Sequence, residues 1–431
     1  MQMRVERLRE TLKLLQPIVP KKTTLPVLKN VLLQDGKAIA TDIDIAVALD
    51  LPGVEGKCLI PHHQVLEMLK YVPGNEMVTI ECAKETGLVL SWDGGKASYG
   101  AEDPMTFPAW PEVKEAKATG EVDGDRLIPV LKSAMQYCAT EEARPVLTGV
   151  SLSFGETIEV AAGDGFRMAY YILPLPFPAQ QKVIVTASFV EALADLWAKL
   201  PPAPPMADTL VGQLVSKRMI NLTMDENKLV ASFGTVTIAT KLIVGSAPDF
   251  SKLIPAEPAL KVRVFAPDME RAVHRVKQIA REASGIVRFT WDDVSMMIAA
   301  ESKDGGSIEA QIPVQAEGGP GRVAVNVAYL LNYLKGKEGL ISMSVNDRSS
   351  PVLFRNGPST PLVVIMPMFA EWPDEKKAKA EAKEAPAESS EEGPEDEETG
   401  EPPENQECGE PPEAEKPEKP PKRSRGNKSH K

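Results

Sequence analysis

The sequence predicts an α+β protein made of three repeated units, each with two helices packed on antiparallel sheets, followed by a disordered tail. Three observations lead there. Residues 23–50, TTLPVLKNVLLQDGKAIATDIDIAVALD, and residues 143–170, ARPVLTGVSLSFGETIEVAAGDGFRMAY, share one plan. Each has Pro-Val-Leu, an alternating apolar run, a short polar turn, a second apolar run and an Asp. Pro26 and Pro145 lie 119 positions apart, and Asp42 and Asp164 lie 122 apart, a spacing of domain size rather than of a solenoid repeat. The order helix, strands, helix, strands then recurs a third time. Beyond Trp372 the composition changes to Pro, Glu, Lys, Ala and Ser. Such a chain cannot bury enough apolar surface to offset its entropy.

The first unit, 1–118, opens on RVERLRETLKLLQ (4–16), where Val5, Leu8, Leu12 and Leu15 recur at helical spacing. Pro17 and Pro20 end that helix. Strands follow to Leu49, with Gln34-Asp35-Gly36 as a hairpin turn. HHQVLEMLKYV after Pro61 is a second helix, and MVTIEC, GLVLSW and KASYG are strands. FPAWPEVKEAKATG (107–120) reads as a linker.

The second unit, 119–256, starts with a helix capped by Asp123 or Asp125, its apolar face made by Leu127, Val130, Leu131, Ala134, Met135 and Cys138. Pro129 is expected in the first turn, where a proline is tolerated. Strands through Tyr170, the helix ASFVEALADLWAKL and further strands complete it. The third unit, 257–372, has a helix from APDMERAVHRVKQIAREASG, strands, a second helix NVAYLLNYLKG and the closing strands ISMSVND, PVLFRN and PLVVIMPM.

The chain has 431 residues and formal net charge -12. Residues 371–431 hold 19 acidic and 11 basic side chains, which leaves only -4 on the rest. A mildly acidic body does not exclude nucleic acid, because what matters is whether cations gather on one face. No apolar run reaches a membrane-spanning length and MQMRVERLRE has no signal-peptide core, so a cytoplasmic protein without membrane contact is expected. The four cysteines, Cys58, Cys82, Cys138 and Cys408, show no C-x-x-C spacing. That disfavours a disulfide framework or a zinc site.

No enzyme signature emerges: no H-E-x-x-H, G-x-S-x-G, Walker A or dinucleotide-binding glycine pattern. No catalytic residue, metal ligand or cofactor is expected. Asp42, Asp44 and Asp164 could form an acid or metal set, but their recurrence at equivalent places fits a turn-forming role better. The basic residues are more informative. Arg271, His274, Arg275, Gln278 and Arg281 form a stripe on one helix, and Lys132, Ser133, Gln136 and Tyr137 a weaker one. Lys70, Lys199, Lys335 and Lys337 stand near the ends of the second helices, where cations suit the helix dipole. A single stripe is usually a solvated face; basic groups on helices of all three units fit phosphate contact without base reading. Late in the chain, Val363–Ile365 reads as a buried strand. Met366 and Met368 flank a proline that cannot serve a sheet ladder, and methionine suits adaptable apolar contact.

Taken in order, TTLPVLKNVLL with ATDIDIAVAL, ARPVLTGVSLS with GDGFRMA, KLIVGSAPDFSKLIP, NVAYLL, SSPVLF and VVIMPM resemble the bacterial DNA polymerase III beta subunit (beta sliding clamp) family across residues 1–369. The resemblance implies three clamp-type domains per chain and a head-to-tail homodimeric ring around duplex DNA, with the helices lining the hole. It implies a non-catalytic processivity factor for the replicative DNA polymerase, bound independently of DNA sequence. Partners would be that polymerase, the clamp loader and other proteins carrying clamp-binding motifs. Their hydrophobic peptides would enter a cleft comprising Leu147, Gly165, Arg167, Met168, Pro248, Lys252, Leu253, Ser350, Val364, Met366, Pro367 and Met368, bordered by Arg144, Asn326 and Tyr329. Matching places Lys22 and Lys70 toward DNA, with Lys132, Lys199, Arg271, Arg275, Arg281 and Lys335 from the helix faces. Three departures bear on the cleft. Gly163 stands where the family commonly has Thr, Phe166 where His or Tyr is usual, and Lys252 replaces a frequent Arg, which removes a planar donor fork. The chain also continues about sixty residues past the usual end. A clamp-like scaffold, phage-encoded or a second copy, working outside the main replisome is the alternative.

Overall fold

The computed structural model describes residues 1–83, 87–100, 102–141, 143–200, 218–255, 258–302, 304–357, 360–372 and 374. The chain separates into two units, 1–370 and 371–431, and the first is described here. The expected disordered tail, 373–431, lies outside the described residues apart from Asp374.

One plan is used three times. Its first use is β1 (Gln2–Arg4), α1 (Val5–Leu15), β2 (Asn30–Gln34), β3 (Lys37–Thr41), β4 (Ile45–Asp50), β5 (Lys57–Pro61), α2 (His62–Leu69), β6 (Met77–Ala83), β7 (Gly87–Trp92) and β8 (Gly95–Tyr99). The second is β9 (Ala118–Asp123), α3 (Gly124–Ala134), β10 (Gly149–Phe154), β11 (Ile158–Gly163), β12 (Arg167–Leu173), β13 (Gln181–Thr186), α4 (Ala187–Lys199), β14 (Met219–Met224), β15 (Lys228–Phe233) and β16 (Val236–Lys241). The third is β17 (Leu260–Phe265), α5 (Ala266–Glu282), β18 (Ile286–Trp291), β19 (Ser295–Glu301), β20 (Ser307–Pro313), the added β21 (Gln315–Glu317), β22 (Gly321–Asn326), α6 (Val327–Leu334), β23 (Leu340–Val345), β24 (Val352–Arg355) and β25 (Leu362–Ile365).

The helices form where their apolar residues repeat at three and four positions. On α5, Met269, Ala272, Val273, Val276 and Ala280 are buried while Arg271, His274 and Arg275 are exposed. Burial of each larger side chain stabilises by about 1.5–3 kcal/mol. Side-chain caps fix three starts: Asp123 accepts from Arg126 N–H, Thr186 from Phe189 N–H and Asn326 from Ala328 N–H. Of the two capping candidates on α3, Asp123 is therefore the cap, and Asp125 pairs instead with Arg218 at 2.7 Å. Pro129 lies inside α3, because the helix starts at Gly124. It removes one helical hydrogen bond there.

Among the described residues the strands form four antiparallel sheets. Two are wide, in the orders β5-β2-β3-β4-β16-β15-β14-β9 and β13-β10-β11-β12-β25-β24-β23-β17-β21. Two are four-stranded, β1-β6-β7-β8 and β20-β19-β18-β22. Each wide sheet joins strands of two successive repeats. β4 meets β16 with Ile45 opposite Thr240, and β12 meets β25 with Arg167 opposite Ile365. By place in the repeat, β4, β12 and β20 are equivalent, as are β16, β25 and β8. β20 and β8 are edge strands.

Alternation decides which sheet face is covered. Val363 and Ile365 of β25 join the large core shared with the helices, whereas Leu362 and Val364 point away into a separate apolar cluster. The two Pro-Val-Leu triplets are short 3-10 helices, Pro26–Lys29 and Pro145–Leu147, that lead into β2 and β10. The supposed linker, 107–120, ends inside β9, which pairs with β14. One cysteine expectation is overturned: Cys58 on β5 and Cys82 on β6 form a disulfide with Cα atoms 5.8 Å apart. The two strands belong to different sheets, so sequence spacing carried no sign of the pairing. Cys138 is free and half-buried, and burial pushes its thiol up to about 12.

Candidate functional site

The corner between β11 and β12 is built by Asp164. Its Oδ1 accepts from Phe166 N–H and Arg167 N–H, each at 2.9 Å, and its Oδ2 accepts from Arg167 Nε at 3.0 Å. Gly165 takes φ 92, a left-handed conformation that glycine adopts without cost. Asp42 builds the same turn in the first repeat, accepting from Asp44 N–H at 3.0 Å and Ile45 N–H at 2.8 Å. The residue in Gly165's place is there Ile43, held at φ 88, a strained conformation for a β-branched side chain. Both aspartates therefore serve as turn formers. Among the described residues no group of three His, Cys, Asp or Glu could hold a metal ion.

Arg167 is committed to the protein. Besides Asp164, it donates from Nη2 to Gln136 O at 3.0 Å. Its guanidinium carbon lies 5.2 Å from the Tyr137 ring centre and 4.8 Å from that of Tyr329. The side chain thus clamps the β12 corner between the end of α3 and α6, a cation–π arrangement on both sides. Phe166 stacks on Tyr329 with ring centres 6.4 Å apart. Asn326 caps α6 and so fixes where Tyr329 stands. Arg144 lies over the corner, since a Cβ on Gly165 would come within 3.4 Å of its Nη1.

The opposite wall is the chain leaving β25. Met366 N–H donates to Phe166 O and Met368 N–H to Ala324 O, both at 2.8 Å. Pro367, between them, has no N–H to give. The floor is a cluster of Leu147, Ala161, Met168, Phe250, Leu353, Leu362 and Val364. Around it stand exposed apolar groups: Phe166 (60% exposed), Leu253 (51%), Met366 (40%) and Phe369 (100%). Isolated exposed apolar residues are ordinary, but a group of them around an apolar floor marks a contact site.

Of the expected cleft residues, Arg144, Gly165, Arg167 and Tyr329 meet at the corner and Met366, Pro367 and Met368 run along the opposite wall. Leu147, Met168 and Val364 are buried floor; Met366, Leu253 and Pro248 are exposed rim. Lys252 is turned to Asp249 at 3.2 Å. Ser350 donates to Asp347 Oδ2 at 2.7 Å, and hydrogen bonds from Ser349 and Ser350 hold the Asp347 carboxyl at about 2. The Gly163 departure has a steric reason. A Cβ there would sit 3.0 Å from Met168 Cβ and 3.0 Å from Phe250 Cε1, so the space a threonine needs is filled. Phe250, Ala161, Leu353, Leu362 and Tyr137 were not anticipated. Alternation on β25 and β24 held the signal for Leu362 and Leu353; nothing local marks Phe250.

The basic residues all lie exposed on or beside helices. Lys22 follows α1, Lys70 and Lys335 cap α2 and α6, Lys132 and Lys199 are on α3 and α4, and Arg271, Arg275 and Arg281 are on α5. Lys70 pairs with Glu67 at 2.6 Å and Arg271 with Asp268, which reduces the field of those two. Tyr137 of the weaker stripe is buried against Arg167, so it belongs to the cleft wall instead. Arg7 and Lys13 on the exposed side of α1 add to the set.

Residues 251–369 match the model of the DNA polymerase III beta subunit, C-terminal domain. The beta sliding clamp of Synechocystis sp. is 24% identical over 369 residues, covering 80% of this chain and 92% of the relative. That of Synechococcus elongatus is 25% identical over 381 residues, covering 85% and 98%. Along most of its length, then, the chain is similar to bacterial beta sliding clamps, and residues 251–369 to the C-terminal domain of the DNA polymerase III beta subunit. Its beta-subunit fold is also seen in solved structures. The DNA polymerase sliding clamp from Pseudomonas aeruginosa aligns with TM-score 0.76 at 22% identity, covering 86% of this chain and 99% of that one. The DNA polymerase III beta subunit from Thermotoga maritima aligns with TM-score 0.73 at 21% identity, covering 86% and 99%. The apolar floor and the helices α3, α4, α5 and α6 lie on opposite faces of the second wide sheet.

Proposed function

We propose that two copies of this chain close head-to-tail into a ring that encircles duplex DNA and tethers the replicative DNA polymerase, with three domains per copy, 1–118, 119–256 and 257–372. The observation that carries this is the repeated junction. Twice within the chain, the strand that ends one half-sheet pairs with the strand that ends the next, β4 with β16 and β12 with β25. Their third counterparts, β20 and β8, are bare edges at the two ends of the repeat. Unpaired edges invite pairing, and a second copy supplies the complementary edge at both ends.

The register of that pairing follows from the repeat. Gly95 opposite Trp92 matches Val236 opposite Phe233, so Tyr99 is equivalent to Thr240 and Ile365. The link from Ser302 N–H to Gly306 O matches that from Asp164 N–H to Arg167 O, so Ser307 is equivalent to Met168. Applied across two copies, Ser307 faces Ser98, Ile308 faces Ala97 and Glu309 faces Lys96. The middle pair is apolar and inward; the outer pair has opposite charges.

With the ring closed, exposed cations of all six helices of each copy face the DNA. Contact of that kind is weak, salt-sensitive and indifferent to sequence, and closure rather than grip retains the ring. The cleft between the second and third domains receives short apolar peptides from the polymerase, the clamp loader and other partners. Retention after loader-driven assembly on circular and linear DNA tests the ring. Persistence on circles and rapid loss from linear ends is expected; equal loss from both overturns it.

A further inference from the structure

Beside the cleft, on the same outer sheet face, runs a second groove. Arg263 on β17, Ser342 on β23 and Arg355 on β24 are directly opposite one another in one row. Lys261, Ser344 and Leu353 form the adjacent row. Their neighbours Val262, Val264, Ile341, Met343 and Phe354 point the other way, into the main core. Together with Ile254, Pro255, Pro258 and Leu340, the two rows line a cavity of about 640 Å³.

Its charge is one-sided. Strands are about 4.8 Å apart, so the two arginine backbones are about 10 Å apart with only a serine between them. The described carboxylate facing the cations is Glu317, opposite Lys261 and 3.6 Å from Arg263 Nη2. Among the described residues Lys261 and Arg355 form no ion pair. Three cations over small polar residues, beside an apolar wall, match carboxylates carried on a partly apolar segment.

The groove and the cleft share Leu353 and Leu362. One row of the sheet reads Lys261, Ser344, Leu353, Val364, Met168. From Val364 to Lys261 is three strand steps, about 14 Å, the length of about four extended residues. We propose that this groove binds acidic residues of a partner peptide, carried about four positions from the apolar residue seated on Met168 and Val364. The proposal rests on the cleft reading above.

The test uses the full chain and a labelled peptide rich in Leu and Phe, bare or extended at either end by three Glu or three Gln. At low salt the Glu peptide extended on the correct side binds about tenfold tighter than its Gln counterpart, the advantage fading at 0.5 M salt as charges are screened to about 4 Å. Arg263→Glu with Arg355→Glu abolishes the advantage and leaves the bare peptide's affinity unchanged; Arg263→Gln with Arg355→Gln gives an intermediate loss. Equal binding of Glu and Gln peptides, or an advantage that survives in the charge-reversed chain, overturns the groove while binding of the bare peptide still supports the cleft. A Glu peptide that binds when the bare one does not supports the groove and removes the cleft. No binding by any peptide removes both. An oligothymidylate that binds as tightly as the Glu peptide, with the same loss in the variants, replaces the peptide ligand by a nucleic acid and overturns the proposal.

Discussion

Lys96→Glu tests ring closure at one atom pair. Lys96 on β8 and Glu309 on β20 are both exposed in the single chain, and the repeat register brings them together only between copies. A cross-strand pair of opposite charge contributes about 0.2–1 kcal/mol, and like charges directly opposite cost a similar amount. Reversal therefore costs about 1–2 kcal/mol at each junction at the upper end of that range, or about 2–4 kcal/mol for a dimer with two junctions. At 1.4 kcal/mol per decade this weakens association about 30- to 700-fold. Sedimentation over a concentration series reads the shift from dimer to monomer. Thermal unfolding of the monomer serves as control and stays put, since neither side chain is buried there. Lys96→Glu with Glu309→Lys restores the dimer. An unchanged dissociation constant for the single variant, or a double variant as weak as the single, refutes the register.

Other outcomes follow from the site and the fold. Met366→Ala with Met368→Ala removes rim contacts without touching the backbone bonds to Phe166 and Ala324; peptide binding weakens by about 1–3 kcal/mol in calorimetric titration while the dimer is unaffected. Reducing the Cys58–Cys82 bond, which spans 24 positions, lowers unfolding stability by about 3 kcal/mol by loop-closure entropy. Denaturant melts with and without a dithiol show the difference, and Cys58→Ser with Cys82→Ser does not respond. Asp347, held at about 2 by Ser349 and Ser350, has a folded value below its unfolded one, about 3.9. Its support for the turn beside the cleft is complete above the unfolded value and is lost as pH falls from there through about 2. Carbon-detected NMR titration finds the midpoint, and an ordinary aspartate midpoint removes the two serines as its cause.

Much of this was legible in the sequence, and for identifiable reasons. The helices show themselves because their apolar residues repeat at helical spacing, and three of them also begin on a short polar cap, Asp123, Thr186 and Asn326. The paired Asp turns at 42 and 164 show themselves because the same backbone problem has the same side-chain answer. The short strands β1 and β21 lack enough residues for a pattern, and β9, ATGEVD, has only Ala118 and Val122 as buried apolar residues. Pro129 misled because helix starts are hard to place to within a turn. The cleft was visible only through likeness to a family. Its floor and rim come from residues more than two hundred positions apart, such as Leu147 and Met366, and Arg167 meets Tyr137 and Tyr329 from two separate elements. Phe250 fills the space left at Gly163, a relation between distant positions that no local pattern holds.

The sheets shared across repeats bear on what can be cut from this protein. Each wide sheet draws its middle from two repeats, so a cut between β8 and β9 or between β16 and β17 severs no helix yet strips a partner from β4 and β16, or from β12 and β25. A fragment of one third therefore presents two raw flanks of unmet amides and carbonyls, the surface that seeds clumping. The three units look modular on paper, but they are not separable parts. The smallest piece that keeps both wide sheets whole is the span from Met1 to Ala370.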